Sequence, residues 1–400
     1  MFERLERMPD DPILGLMAAF RADSDPRKVD LGVGVYRDDR GDTPVLDAVR
    51  RAEQATLSRQ ISKTYVAPAG NAGYNQAMER LVFGDDHATL KSGRVRTIQA
   101  PGGCGALRVG AELIRLAHPE AVIYVSTPTW ANHVPLLTGS GIKLERYPYY
   151  DPATGGVNFS AMMDSLDRLP QRSVVLLHAS CHNPTGADLS EQQWRDLLGL
   201  VTRRGLIPYI DMAYQGLGTG VAEDAFGPRL FAAELPEVMV AVSCSKNFGL
   251  YRERTGALHI ISQTPTAADA VLSQLVRIAR TIYSMPPDHG AAIVQEILGN
   301  EALRTSWLAE LGTMRKRMAN LRHEVVARLA KAHSQKDFSY IERQQGMFSY
   351  LGVSLEQVRA LRERHHVYMT DDSRINVAGL RNDNIGYFAD SVAQVLSATK

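Results

Sequence analysis

Residues 238–256 read VMVAVSCSKNFGLYRERTG: an apolar run without alternation, then two serines flanking a cysteine, a lysine, and an arginine at 254. Such an uninterrupted run predicts a strand buried on both faces, the habit of parallel sheets covered by helices. Working outward, Val122–Val125, Val174–Leu177 and Ile207–Ile210 have the same character. Between them lie helical patterns: Leu107, Ala111 and Ile114 after Gly105, and Trp194, Leu197, Leu198 and Val201 behind a Ser190-Glu191 start signal. Strands alternating with helices predict an α/β domain with a mostly parallel sheet.

The pattern changes further on. Met314, Met318, Leu321, Val325 and Leu329 mark a long amphipathic helix, and Ile385, Phe388, Val392 and Val395 a late one. Residues 338–351 and 367–377 between them read as short strands. The expected organisation is residues 1–40 as an N-terminal arm joining the small domain, 41–312 as the large domain, and 313–400 as a smaller α+β domain.

Composition narrows the function. The 400 residues are 44% hydrophobic and 22% charged, a globular balance. With 45 Lys and Arg against 44 Asp and Glu, the net charge of +1 supplies no field for nucleic acid or an anionic membrane. No run of 18 apolar residues predicts a membrane span, and the N-terminal MFERLER lacks the form of a secretory signal. Cys104, Cys181 and Cys244 are not spaced as a disulfide framework, which points to a reducing cytoplasm.

In open α/β sheets ligands bind at the carboxyl ends of the strands, and each buried run here ends in chemistry. Trp130 follows the first, His178 to Gly186 the second, Asp211 and Tyr214 the third, and Ser243, Ser245 and Lys246 the fourth. A lone lysine would snorkel to the surface. Beside Ser243, Ser245 and Arg254, which are phosphate-binding types, it reads instead as an amine of lowered pKa able to bond a carbonyl. A phosphate-bearing carbonyl cofactor is the natural candidate. The turn Pro101-Gly102-Gly103-Cys104-Gly105 opens a helix whose N-terminus can share that phosphate, and it has neither P-loop nor dinucleotide spacing.

Asp211 is either a helix cap or a carboxylate facing a pyridine nitrogen, which keeps the ring protonated as an electron sink. Tyr214 and Asn183 suit the ring's phenolic oxygen, and Trp130 its face. His178, Cys181 and His182 contain metal-ligand types, but the spacing fits no common zinc pattern and no metal is expected. Arg374 and Arg280 are guanidinium forks that suit carboxylates, with a surface ion pair as the plainer role.

These motifs together resemble the class I (fold type I) pyridoxal-phosphate aminotransferases of the aspartate and aromatic amino acid type. The resemblance spans nearly the whole chain: DLGVGVYRDDRGDTPVL at 30–46, PGGCGALR at 101–108, TPTWANH at 127–133, HNPTG at 182–186, DMAYQG at 211–216, SCSKNFGLYRERTG at 243–256 and SRINVAGL at 373–380. It implies a large domain with a parallel sheet plus a smaller α+β domain, and pyridoxal 5'-phosphate as cofactor. Lys246 becomes the Schiff-base lysine and proton shuttle, Asp211 the partner of the pyridinium nitrogen with His133 behind it, and Asn183 and Tyr214 the partners of the ring oxygen. Trp130 would stack on the ring. Gly103, Cys104, Ser243, Ser245 and Arg254 would hold the phosphate, with Tyr65 from a second subunit. Gly34, Trp130, Asn183 and Arg374 would bind the substrate, and Arg280 from the second subunit its distal carboxylate, so a homodimer is implied.

The sequence departs from the family at two informative places. Cys104 stands where a hydroxyl usually meets the phosphate, and a thiol is a weaker donor. Met285 follows Ser284 where aspartate-preferring members usually have Asn, which favours bulky apolar side chains. The expected activity is transfer of the amino group of aromatic and dicarboxylic L-amino acids to 2-oxoglutarate in a cytoplasmic enzyme. A strict aspartate aminotransferase is the alternative, followed by a lyase on the same fold.

Overall fold

The computed structural model describes residues 1–7, 12–333 and 335–398. Two compact bodies divide the chain: residues 44–316 with 344–346, and residues 1–43, 317–343 and 347–400.

The larger body is built on seven strands: β1 (Val95–Pro101), β2 (Val122–Thr127), β3 (Lys143–Pro148), β4 (Val174–His178), β5 (Ile207–Met212), β6 (Val238–Ser243) and β7 (Thr255–Ile261). Their order is β1-β7-β6-β5-β4-β2-β3. Strand β7 runs antiparallel to both its neighbours, and the other pairs are parallel. Every residue of β6 and β7 is buried, which explains why neither alternates polar with apolar. One face carries the helices Gly102–Ala117 and Pro265–Ile282, whose Leu107, Ile114, Leu275 and Ala279 close a core with Ile98, Val125, Leu176 and Leu258.

Local signals set the helix ends. Ser190 and Gln193 form a capping box at the start of Glu191–Arg204, and Gly205 ends that helix in the left-handed region at φ 61°. Thr264 caps Pro265–Ile282, with proline in the first turn.

The smaller body pairs Val29–Asp30 in parallel with Val367–Tyr368, and Phe348–Tyr350 antiparallel with Arg374–Asn376. Its core joins Val29, Leu321, Val325, Ile375, Phe388 and Val392. Most of 338–351 is not strand as expected: Tyr340–Arg343 is a helical turn, and pairing begins only at Phe348, past Gly346 at φ 73°. The polar Glu342-Arg343-Gln344-Gln345 run separates two apolar ends that sequence reading had joined. The helix Glu301–Ala332 runs unbroken through the boundary at 316/317. Among the described residues no helix is long and apolar enough to cross a membrane.

Candidate active site

Strands β4, β5 and β6 lie side by side and parallel, so their carboxyl ends deliver His178, Asp211 and the segment after Ser243 to one edge of the sheet. Asp211 pairs in register with His178 and with Ala241, and is 8% exposed. Its Oδ2 lies 3.0 Å from His133 Nε2, and because a carboxylate can only accept, the imidazole donates there. Burial works to raise the Asp211 pKa, but the His133 hydrogen bond, with the neighbouring imidazoles and Lys246 behind it, holds the carboxyl below its usual value.

His133 is held in turn. Its Nδ1 lies 2.8 Å from the Thr129 hydroxyl, and Trp130 packs on it edge to face at 5.2 Å. Thr129 also lies 3.4 Å from His178 Nε2, and His178 packs at 4.1 Å against His182. His182 stacks on Tyr149 at 4.3 Å and meets Ser126 and Thr185 at 3.0 Å each. Burial pushes the His178 imidazole down to about 3 and His182 also well below its ordinary value, so both are neutral at physiological pH. They are packing and hydrogen-bonding groups behind Asp211. Among the described residues no group of three or more His, Cys, Asp or Glu is arranged to hold a metal ion.

The loop with Asn183 is fixed by a carboxylate that sequence reading missed. Asp188 accepts the backbone N–H groups of Cys181 at 2.7 Å and His182 at 2.8 Å, with Cys181 in the left-handed region at φ 52°. Asn183 and Tyr214 are both buried. The Lys246 ammonium position lies 4.9 Å from the centre of the Tyr214 ring. Burial pulls the Lys246 pKa down, against the opposing charge of Asp211, which makes a neutral nucleophilic amine more accessible.

An anion cup adjoins the lysine. The Ser243 and Ser245 hydroxyls are 3.1 Å apart, and Arg254 Nη1 donates to Ser245 at 3.4 Å. The chain turns from β1 straight into the helix Gly102–Ala117 at Gly102, whose φ is +69°. A Cβ there would sit 2.3 Å from Arg254 Nη2, and one on Gly103 would sit 3.1 Å from Ser243 Cβ. Glycine at both positions lets the helix N-terminus close on the guanidinium and the serines, a concave set of donors that fits a phosphate group. Cys104 is on this first turn, 3.9 Å from Asn132 Nδ2. Cys104 and Cys244 are free thiols.

Gly34 and Arg374 belong to the smaller body. Arg374 is 6% exposed, donates to the Gly32 carbonyl at 2.7 Å, and has its guanidinium 4.5 Å from the centre of the Phe348 ring. Gly34 leaves room for that ring, since a Cβ there would meet Phe348 Cζ at 2.8 Å. Tyr65 is 86% exposed, and the exposed Arg280 donates to Ser284 of its own segment.

Thr129 and Asp188 carry weight that sequence reading did not assign. Thr129 had a legible signal, a hydroxyl four residues before His133, whereas Asp188 gave none because its partners are backbone amides.

The chain is similar to known proteins over nearly its whole length. Residues 26–392 match the family described as aminotransferase class I and II. The chain is 43% identical to an aspartate aminotransferase of Pseudomonas aeruginosa, covering 99% of this chain and 100% of that one. It is 45% identical to an aromatic-amino-acid aminotransferase of the same species, covering 98% of each. Among solved structures, the aromatic-amino-acid aminotransferase of Burkholderia pseudomallei, covalently bound to pyridoxal phosphate, superposes with a TM-score of 0.97 at 46% identity and 99% coverage of both chains. The chain belongs to the class I and II aminotransferases.

Proposed function

We propose that this protein is a pyridoxal-phosphate aminotransferase that takes the amino group from aromatic and dicarboxylic L-amino acids and passes it to 2-oxoglutarate in two half-reactions. The observation that carries the reading is the buried Asp211 carboxylate, kept ionised by His133, on the strand beside the one that leads to Lys246.

The residues present fit the cofactor: the Gly102–Gly103 cradle, Ser243, Ser245 and Arg254 suit its phosphate, and a Cβ at Gly102 would displace the Arg254 guanidinium. Cys104 and, from a partner subunit, Tyr65 are assigned to the same phosphate. Trp130 is assigned to the ring face, and Asn183 and Tyr214 to the ring oxygen. When bound, pyridoxal phosphate supplies an aldehyde that condenses with amines and a ring that withdraws electrons from the carbon being deprotonated. Asp211 holds a proton on the ring nitrogen. Lys246 Nζ takes the Cα proton of the amino acid and later delivers it, which its burial-lowered pKa favours. Arg374 holds the substrate α-carboxylate with help from Gly34 and Asn183, and Arg280 of a partner subunit takes a distal carboxylate. The working form is therefore a homodimer, and the cytoplasm is its compartment.

Aspartate and aromatic relatives are about equally similar, at 43% and 45% identity, so the substrate choice rests on residues. Met285 favours rings; a strict aspartate enzyme is the alternative. Single-turnover absorbance of the cofactor-loaded protein, with phenylalanine, tyrosine, aspartate, glutamate and alanine added separately, decides. Loss of the visible band with both aromatic and dicarboxylic donors supports the proposal. Loss with aspartate and glutamate alone leaves the strict enzyme, and no visible band at all removes the reading.

A further inference from the structure

The turn that carries Lys246 is tied down on both sides. Before the lysine, Cys244 N–H donates to the Thr255 carbonyl at 3.0 Å, and Ser245 N–H to the Ser243 hydroxyl at 3.2 Å. After it, Gly249, at φ +66°, returns its N–H to the Lys246 carbonyl at 3.1 Å. The Asn247 carbonyl remains, within a residue 2% exposed, and its partner comes from sixty positions away: Trp307 Nε1–H donates to it at 2.8 Å. The same indole is fully buried and lies parallel to the Phe248 ring, 4.5 Å between centres and 3° between planes. One side chain thus grips both residues that follow the lysine. Trp307 stands on the helix Glu301–Ala332, in the part that belongs to the larger body.

We propose that Trp307 is a positioning residue for Lys246: its N–H and its ring fix residues 247 and 248, and so fix where the lysine amine sits for proton transfer. The inference rests on the reading of Lys246 as the proton-moving group. A buried carbonyl deprived of its donor is costly, so without the indole the turn shifts to recover a partner. Proton transfer is steep in distance, and a displacement of about 1 Å at a reacting group costs on the order of 100-fold in rate.

The test uses Trp307→Phe, which keeps a ring and loses the N–H, with Phe248→Leu as a second probe that removes only the stack. Trp194→Phe is the control, a buried tryptophan packed edge-on against Phe231 at 5.3 Å on a different helix. Two readouts are taken: the half-reaction of the cofactor-loaded enzyme with Cα-protonated and Cα-deuterated phenylalanine and aspartate, and the pH midpoint of Lys246 reductive methylation in cofactor-free protein. For Trp307→Phe we expect cofactor affinity within about threefold of wild type, proton transfer slowed by about 10- to 100-fold, a larger deuterium effect, and a labelling midpoint moved towards that of an ordinary lysine. Phe248→Leu should change in the same direction, and Trp194→Phe in neither readout. If Trp307→Phe and Phe248→Leu match Trp194→Phe in isotope effect and labelling midpoint, Trp307 only packs the core and the proposal is overturned. A wild-type protein without a half-reaction defeats the proposed function instead, while the labelling midpoint still tests Trp307 on its own.

Discussion

His133 Nε2 lies 3.0 Å from Asp211 Oδ2, and both side chains are shut away from water. Burial alone would favour a neutral acid at 211; the histidine contact reverses that preference, and a strand end becomes a fixed negative charge.

Replacing that charge while keeping its shape, Asp211→Asn, should leave the fold intact and slow the half-reaction by about 100- to 1,000-fold, the range for losing one preorganised electrostatic group. Single-turnover absorbance with phenylalanine and with aspartate checks this, and an equal loss for both donors is expected.

His133→Phe removes the donor and leaves burial in control, so the Asp211 pKa rises. Because the wild-type carboxyl titrates below its usual value, the charge survives well into acid; in the variant it is lost at higher pH. The acid limb of the pH–rate profile should therefore move upward in His133→Phe, and an unmoved limb would show that His133 does not control Asp211.

Gly102→Ala places a Cβ at a φ of +69° and 2.3 Å from Arg254 Nη2. The strained backbone should cost about 1–3 kcal/mol of stability. Displacement of the guanidinium should also weaken cofactor binding by about tenfold or more, the equivalent of losing one charge-assisted hydrogen bond. Thermal melts with and without cofactor, alongside equilibrium dialysis, separate the two effects.

Asp23 accepts the Asp25 amide at 2.8 Å, and Tyr368 and His366 each lie 2.7 Å from its other oxygen. These contacts, the backbone one first, lower its pKa to about 2. Its contribution to stability is complete above its unfolded value of about 3.9 and disappears as pH falls through about 2. Acid unfolding followed by circular dichroism should lose part of its pH dependence in that interval in Asp23→Asn.

Much of this was legible in the sequence because the decisive signals are local. The runs at 122, 174, 207 and 238 become β2, β4, β5 and β6, since strands buried on both faces tolerate few polar residues. Lys246 stood out only through its neighbours Ser243, Ser245 and Arg254. What stayed hidden is non-local. Gly102 is constrained by Arg254 and the Asn247 carbonyl is held by Trp307, and each pair is joined only by the fold. His178 and His182 carried ligand chemistry in their residue types, yet burial makes both neutral, and they pack on one another, with Tyr149 stacked on His182. Strand β7 is buried throughout like β6, and its antiparallel direction is set by the return of the chain beside β1 and leaves no mark in composition.

The central claim is that Lys246 is the amine that bonds the cofactor. Borohydride reduction of the cofactor-loaded protein, followed by proteolysis and mass spectrometry, locates that bond directly. A phosphopyridoxyl group on the peptide containing Lys246, lost in Lys246→Ala, is the predicted result; the label on another lysine, or no label at all, would contradict the account.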